Sequence, residues 1–180
     1  GSVLFAAFPT AYALIAPAFY IPISVMVIAL LFRGVAFEFR MKALTTRWIW
    51  DIAFWLGSTI ASFMQGAMLG AMIEGIKVEN MRYVGDTTEW YTTFSMTTGI
   101  AVILAYALLG TSWLLMKTTK GTYKWSASIL KPLLILVSFS ILVISLRTPI
   151  LFPHIAQRWF STPNIFYLSF VPLLSLFSLW

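Results

Sequence analysis

The sequence has no cysteine and only one histidine, His154, among its 180 residues. Without cysteine the chain cannot form a disulfide framework or a thiolate metal site, and one imidazole gives zinc or non-haem iron no usual ligand set. Soluble domains contain roughly 25% charged residues, whereas this chain contains 10%, with 60% hydrophobic residues and a mean hydropathy of +0.88. This composition excludes an ordinary soluble enzyme, a disordered tail and a secreted disulfide scaffold.

Long apolar stretches are present instead. A helix needs about 20 mostly apolar residues to cross a bilayer. Four stretches qualify, namely 19–37, 49–73, 91–116 and 126–146. Because 3–14 and 164–180 are apolar but short, and the chain has no initiator Met, we interpret it as an internal fragment with two truncated terminal helices. The sequence therefore predicts an all-α fold, a polytopic transmembrane helical bundle of four complete spans that forms a single domain over 1–180.

Charges in the connections predict the orientation. The connections 40–47 and 117–124 contain basic residues and no acids, so the positive-inside rule predicts that both are cytoplasmic. The connections 74–90 and 147–163 are acidic or weakly basic, and we predict that they are periplasmic. Since the 12 basic residues are scattered between apolar blocks, no nucleic-acid partner is expected.

The second span carries a row of small residues. Ser58, Ser62, Gly66 and Gly70 recur every four residues, which predicts a face that packs closely on another helix. Gln65 lies beside this row. It either lines a proton or ligand path or forms an interhelical hydrogen bond, and the sequence leaves both readings open.

A methionine row on the same span raises the question of haem ligation. Met64, Met68 and Met72 have helical spacing, and we interpret them as gap-filling packing residues. His154 lies in a Pro-flanked segment that predicts a solvated loop. We therefore predict no catalytic residue, no cofactor ligand and no metal ligand in this chain.

Charged residues close the first span. Arg33, Glu38 and Arg40 follow apolar sequence, and charge within a membrane is costly and often functional. They are candidates for a proton path, or else Arg33 snorkels to the headgroups while Glu38 pairs with a nearby base. Asp51 follows Arg47 by four residues, which predicts a structural ion pair on one helix face.

Several motifs resemble one family. The run 33–40 reads RGVAFEFR and 3–9 reads VLFAAFP, and both are similar to subunit II of bacterial cytochrome bd-type quinol oxidases. Further similar motifs are Trp50-Asp51 leading to LGS at 56–58, Gln65-Gly66, and YALLGTSW at 106–113. Within this family, the residues of these motifs are more similar to those of the cyanide-insensitive branch. The acidic Trp-Asp-Gly-Asn motif of the family would precede Gly1 and is absent here.

The resemblance implies a function. A partner, the haem-bearing subunit I with haem b and haem d, would oxidise quinol and reduce oxygen to water in the bacterial cytoplasmic (inner) membrane. This chain would be the non-haem subunit that stabilises its partner and contributes to proton supply, and the resemblance also allows a structural quinone. The family positions matched here are Arg33, Glu38, Arg40, Asp51 and Gln65.

A second class of function stays open at this point. Intramembrane charges at Arg33, Glu38 and Lys131 are also compatible with a secondary transporter or small-solute channel subunit. Transporters often contain inverted repeats and helices broken near the midplane, and the sequence shows no convincing pair of these.

Overall fold

The structure, a computed structural model, describes residues 2–161 and 164. This part of the chain contains helices and one small β-hairpin. The helices are α1 (Ser2–Ala7), α2 (Pro9–Ala18), α3 (Tyr20–Lys42), α4 (Arg47–Glu74), α5 (Thr93–Lys117), α6 (Lys120–Leu151) and α7 (Pro153–Trp159), and the strands are β1 (Val78–Glu79) and β2 (Arg82–Tyr83).

The helices α3, α4, α5 and α6 are long and apolar enough to cross a membrane. They follow the order of the four predicted spans, and each of the two strands has only 2 residues. The predicted all-α fold with four spans is therefore confirmed.

The helices continue beyond the apolar stretches that predicted them. The first predicted span stops at 37, but α3 ends at Lys42, and α6 covers 120–151 where 126–146 was predicted. Hydropathy drops where charged side chains begin, whereas the backbone stays helical because long basic side chains reach the water layer and cations suit the last turn of a helix. The two connections predicted to be cytoplasmic are consequently short turns at 43–46 and 118–119.

The terminal regions differ from the expected helices. The apolar stretch 3–14 is not one helix, because Pro9 lacks a backbone N–H and begins a new helix after Phe8. His154 lies within α7 rather than in a loop, since Pro153 takes the first helical position. The expected helix at 164–180 lies outside the described residues, apart from Asn164.

Contacts group the chain into two compact units, 1–103 and 104–180. In the first unit, α4 packs antiparallel on α3 because only four residues connect them. The beginning of α5 packs antiparallel on α4, with Ser95 near Gly70 and Gly99 near Gly66. The second unit contains the rest of α5, together with α6 and α7. The single domain over 1–180 stays a prediction.

The α4–α5 loop contains the hairpin, in which Val78 pairs with Tyr83 and Glu79 with Arg82. Asn80 and Met81 form its turn with φ angles of 47° and 61°, as in the mirror-image turns that favour two-residue hairpins. The sequence predicted no hairpin here, because Asn-Met lacks the glycine that usually signals this turn.

Candidate functional site

The α3–α4 turn gathers the charged candidates at one end of the first unit. Arg40 donates from Nε to Asp51 Oδ1, and this ion pair crosses the turn with both side chains half exposed. The predicted pair of Arg47 with Asp51 is therefore wrong. Arg47 instead donates to the carbonyl of Ala43 at 2.9 Å. The short turn brings the end of α3 beside the start of α4, so a base eleven positions away reaches Asp51 first.

The other charges at this end are also partnered. Lys42 Nζ lies 3.2 Å from Glu38 Oε1, and the two side chains are 74% and 69% exposed. The guanidinium carbon of Arg33 lies 5.2 Å from the centre of the Phe54 ring, a cation–π distance. Arg33, Arg40 and Asp51 thus connect α3 to α4, whereas Glu38 bonds within α3 and remains open to solvent.

Small residues on α4 allow close approach to both neighbouring helices. A Cβ atom at Gly57 would lie 2.6 Å from the carbonyl oxygen of Ala29 on α3. A Cβ at Gly66 would lie 2.7 Å from Cα of Gly99 on α5, and one at Gly70 would lie 2.6 Å from Cα of Ser95. These distances are too short for any side chain, so glycine is required at each contact.

A buried hydrogen bond joins α4 and α5. Thr98 Oγ1 lies 2.9 Å from the carbonyl oxygen of Gly66 and 2.8 Å from that of Ser95. Ser58 and Ser62, the other members of the predicted row, donate to carbonyls of their own helix at 2.8 Å each. The two glycines of the row therefore contact α5, whereas the two serine hydroxyls form hydrogen bonds within α4.

The remaining α4 candidates lie in packed surroundings. Gln65 is half-buried next to Gly66. Met68 packs against a buried cluster of Ala18, Phe19 and Ala71, which agrees with a packing role for this methionine.

A cavity that the sequence did not predict lies under the α4–α5 loop, at the opposite end of α4 from the charged turn. Its volume is about 360 Å³. We call it the loop cavity. Its lining residues are Ala18, Phe19, Ala71, Glu74, Gly75, Ile76, Lys77, Tyr83, Thr88, Glu89, Trp90, Tyr91 and Thr92. Trp90 and Tyr91, an adjacent aromatic pair of the kind enriched at membrane interfaces, lie in its wall.

The start of α5 fixes one wall of the loop cavity. Ser95 N–H donates to Thr92 Oγ1 and Thr92 N–H donates to Ser95 Oγ, both at 3.0 Å, a reciprocal cap that satisfies exposed donors of the first turn. The hydroxyl of Thr92 donates to Glu74 Oε2. Glu74, at the end of α4, is thereby tied to the beginning of α5.

An ion pair between Lys77 and Glu89 links the two ends of the α4–α5 loop beside the cavity. We call this ion pair the clasp. Lys77 Nζ lies 2.6 Å from Glu89 Oε1, and Tyr83 donates to the carbonyl of Asp86 at 2.5 Å. The hydrogen bond from Lys77 lowers the pKa of Glu89, and the same bond raises the pKa of Lys77. Burial, followed by the charge of Glu89, raises the pKa of Tyr83.

Histidine, aspartate and glutamate are the usual metal ligands that this cysteine-free chain contains. In residues 2–161 and 164, no three His, Asp or Glu side chains come close enough together to hold a metal ion. The methionine row lies on α4 in the first unit and His154 on α7 in the second. The part of the chain that the structure describes therefore contains no cluster of carboxylate and imidazole groups that could hold a metal ion.

Comparison with known proteins identifies a family and several relatives. A family model described as cytochrome bd terminal oxidase subunit II matches residues 1–180. Cytochrome bd ubiquinol oxidase subunit 2 of Bacillus subtilis (strain 168) is 31% identical over 118 residues, covering 64% of this chain and 35% of the relative.

Two further relatives have similar coverage. A probable cytochrome oxidase subunit 2 of Haemophilus influenzae is 28% identical over 128 residues, covering 67% of this chain and 34% of that protein. Cytochrome bd-I ubiquinol oxidase subunit 2 of Escherichia coli (strain K12) is 28% identical over 125 residues, covering 66% and 33% respectively. The chain thus spans about a third of the length of the curated relatives it matches.

Proposed function

Because the chain belongs to the cytochrome bd terminal oxidase subunit II family, we propose that it acts as the non-haem subunit of a respiratory quinol oxidase. The match over residues 1–180 is the observation that carries this proposal. Four helices able to span a bilayer agree with a multi-pass membrane protein. The names of the relatives, which refer to ubiquinol oxidase subunits, support the reaction class.

The proposal includes a division of labour between two subunits. The partner, subunit I, carries haem b and haem d, oxidises quinol and reduces oxygen to water. This chain ligates neither haem, packs against subunit I within the lipid of the bacterial cytoplasmic membrane and stabilises it. A structural quinone in this subunit remains an expectation from the family.

The orientation follows from charge. The turns at 43–46 and 118–119 face the cytoplasm, because the helices that end at these turns carry basic residues in their last turn. These residues are Arg40, Lys42 and Lys117. The α4–α5 loop then faces the periplasm, as does the segment 147–163.

The charged residues around the α3–α4 turn have two roles in this proposal. Arg40 and Asp51 hold α3 against α4, and Arg33 does so through the Phe54 ring. Glu38 serves proton supply or assembly, since its side chain is 69% exposed at the proposed cytoplasmic end and pairs with Lys42 on the same helix. Gln65 supports helix packing from its half-buried position on α4.

The role of Glu38 is tested by Glu38→Gln in the complete protein. A proton-supply role predicts slower oxygen reduction with unchanged oxidase content, and an assembly role predicts less oxidase in the membrane. If both quantities stay at the wild-type level, Glu38 is only a surface ion-pair residue. Lys42→Gln is the matched control because it breaks the same pair and keeps the carboxylate.

The transporter alternative receives no support from the residues that suggested it. Arg33 and Glu38 lie in the last ten residues of α3 and have partners on α4 or α3. Lys131 is exposed on α6, within a helix that is otherwise strongly apolar. Neither Arg33 nor Glu38 lines the cavity under the α4–α5 loop.

The proposed function is tested by deletion and complementation. Membranes from the source cell that lack the complete chain should lose quinol-driven oxygen uptake, and the complete chain supplied in trans should restore it. Unchanged uptake, in a strain without another quinol oxidase, would contradict the proposal. Gly34→Ala supplies a folded control, because a methyl group there meets no atom within 4 Å.

A further inference from the structure

We propose that the loop cavity binds the headgroup of a zwitterionic amine phospholipid, with phosphatidylethanolamine as the probe. Nothing in the proposed oxidase function assigns a ligand to this cavity. The inference depends on that function only for the leaflet, since the α4–α5 loop is periplasmic in the proposed orientation.

Glu74 supplies the site for the amine. Its carboxylate accepts a hydrogen bond from Thr92, and no Lys or Arg forms an ion pair with it in the part of the chain that is described. A carboxylate has about four acceptor positions, so acceptor capacity remains. Lys77, the nearest base along the chain, already pairs with Glu89 at 2.6 Å. The rim therefore carries one uncompensated negative charge, which favours an ammonium group.

Trp90 supplies a donor for the phosphate. Its indole Nε1 is buried and has no hydrogen-bond acceptor among the described residues, and leaving a buried donor unsatisfied is costly. A phosphate oxygen is a suitable acceptor. A headgroup that joins an ammonium to a phosphate therefore complements both Glu74 and Trp90.

The apolar side of the loop cavity suits a lipid. Ala18, Phe19 and Ala71 form a buried cluster beneath the polar rim. Tyr91 is 69% exposed beside it, at the membrane level where aromatic belts meet headgroups. A volume of about 360 Å³ lies at the lower end of small-molecule sites, roughly 300–1,000 Å³. The cavity therefore fits a headgroup and the first part of an acyl chain.

Other headgroups fit less well. Phosphatidylcholine carries a positive charge but no N–H donor, so it cannot hydrogen-bond to the carboxylate of Glu74. Phosphatidylglycerol has no ammonium, and its net negative charge is repelled by the same carboxylate. The expected order of affinity is therefore phosphatidylethanolamine first, with the other two lipids clearly weaker.

The test is native mass spectrometry of the complete, delipidated protein, with its co-purifying partner where one is present. Each of the three phospholipids is titrated separately with matched short acyl chains. We expect phosphatidylethanolamine to bind at least roughly tenfold more tightly than the others, the size of one charge-assisted hydrogen bond. Equal binding of the three lipids by the wild-type protein would overturn the proposal without any variant.

Variants then locate the binding. Glu74→Gln should remove the preference for phosphatidylethanolamine, because an amide still accepts the Thr92 hydrogen bond but has no charge. Glu74→Asp should keep the preference, which separates charge from folding. Glu79→Gln is the matched control, since this exposed hairpin carboxylate does not line the cavity. An undiminished preference in Glu74→Gln would overturn the proposal.

A competing ligand is part of the same test. Trp90→Phe should weaken all bound phosphate lipids while keeping the ethanolamine preference. If a short-chain quinone binds the wild-type protein while phosphatidylethanolamine shows no preference over the other two lipids, the cavity is a quinone site and the lipid proposal is wrong. Failure here leaves the haem spectrum of the complex unchanged, so it is distinguishable from failure of the oxidase function.

Discussion

The hydroxyl of Thr98 on α5 donates to the backbone carbonyl of Gly66 on α4 at 2.9 Å, and the same hydroxyl lies 2.8 Å from the carbonyl of Ser95. The bond is buried, and it joins the two helices where Gly66 and Gly99 allow their backbones to approach. Packing through small residues and interhelical hydrogen bonds is how helices associate in a bilayer, because lipid tails are as apolar as the side chains they surround.

Thr98→Val should therefore destabilise the first unit. The substitution keeps the shape of the side chain and removes the donor, at an expected cost of about 0.5–1.5 kcal/mol. Thermal unfolding in detergent measures the effect. Thr97→Val is the matched control, because Thr97 donates only to Thr93 within its own helix. Equal losses in the two variants would show that the α4–α5 bond contributes nothing specific.

Gly70→Ala should separate α4 from α5. Its new methyl group would lie 2.6 Å from Cα of Ser95, and overpacking of this kind costs about 1–3 kcal/mol. We expect a lower unfolding temperature for this variant. Gly34→Ala on α3 adds the same methyl group where no atom lies within 4 Å, so it should be neutral or slightly stabilising. If the two variants unfold alike, the close α4–α5 contact is absent.

A double-mutant cycle distinguishes the two possible partners of Asp51. The structure pairs Asp51 with Arg40 across the turn, so the effects of Arg40→Gln and Asp51→Asn on the free energy of unfolding should not add. Arg47→Gln and Asp51→Asn should add, because Arg47 bonds to Ala43 instead. Coupling between Asp51 and Arg47, with none to Arg40, would support the pairing suggested by sequence spacing.

The clasp of Lys77 and Glu89 predicts a pH window for the α4–α5 loop. Glu89 has a lowered pKa, so its stabilising contribution is present above its ordinary value of 4.5 and is lost as the pH falls through the lowered pKa. Lys77 has a raised pKa, so its contribution is present below its ordinary value of 10.5 and is lost as the pH rises through the raised pKa. The clasp should therefore hold at neutral pH and weaken at both extremes.

Hydrogen exchange at Val84 reports on this clasp, because its N–H bonds to the carbonyl of Lys77 at 3.2 Å. Protection, corrected for the intrinsic exchange rate, should decrease at both pH extremes in the wild-type protein. Lys77→Gln should lower protection at neutral pH and flatten the profile, whereas Glu79→Gln should change neither. A flat profile in the wild-type protein would rule out the ion pair as the clasp.

Hydropathy predicted the membrane helices because a span must be apolar over its whole length. It could not fix their ends, since the backbone is still helical at the charged residues Lys42 and Lys120. It also missed the break at Phe8, because an apolar run gives no warning of the new helix begun by Pro9. The family motifs, by contrast, were recognised from short runs of residues alone.

Side-chain partners were harder to predict than helices. Spacing along one helix suggested Arg47 for Asp51, but the turn brings Arg40 closer. The small-residue row predicted one face packed on another helix, but only Gly66 and Gly70 meet α5, because the hydroxyls of Ser58 and Ser62 bond within α4. The loop cavity depends on contacts among α2, α4 and the loop. Such contacts come from tertiary packing, which no local pattern encodes.

The central proposal is that the complete protein is a subunit of a haem-containing quinol oxidase. The most direct measurement is the reduced-minus-oxidised visible spectrum of the complete, affinity-tagged protein purified from its native membrane. The account predicts a second polypeptide together with absorbance bands of haem b and haem d. A folded preparation that is colourless and contains no second polypeptide would contradict it.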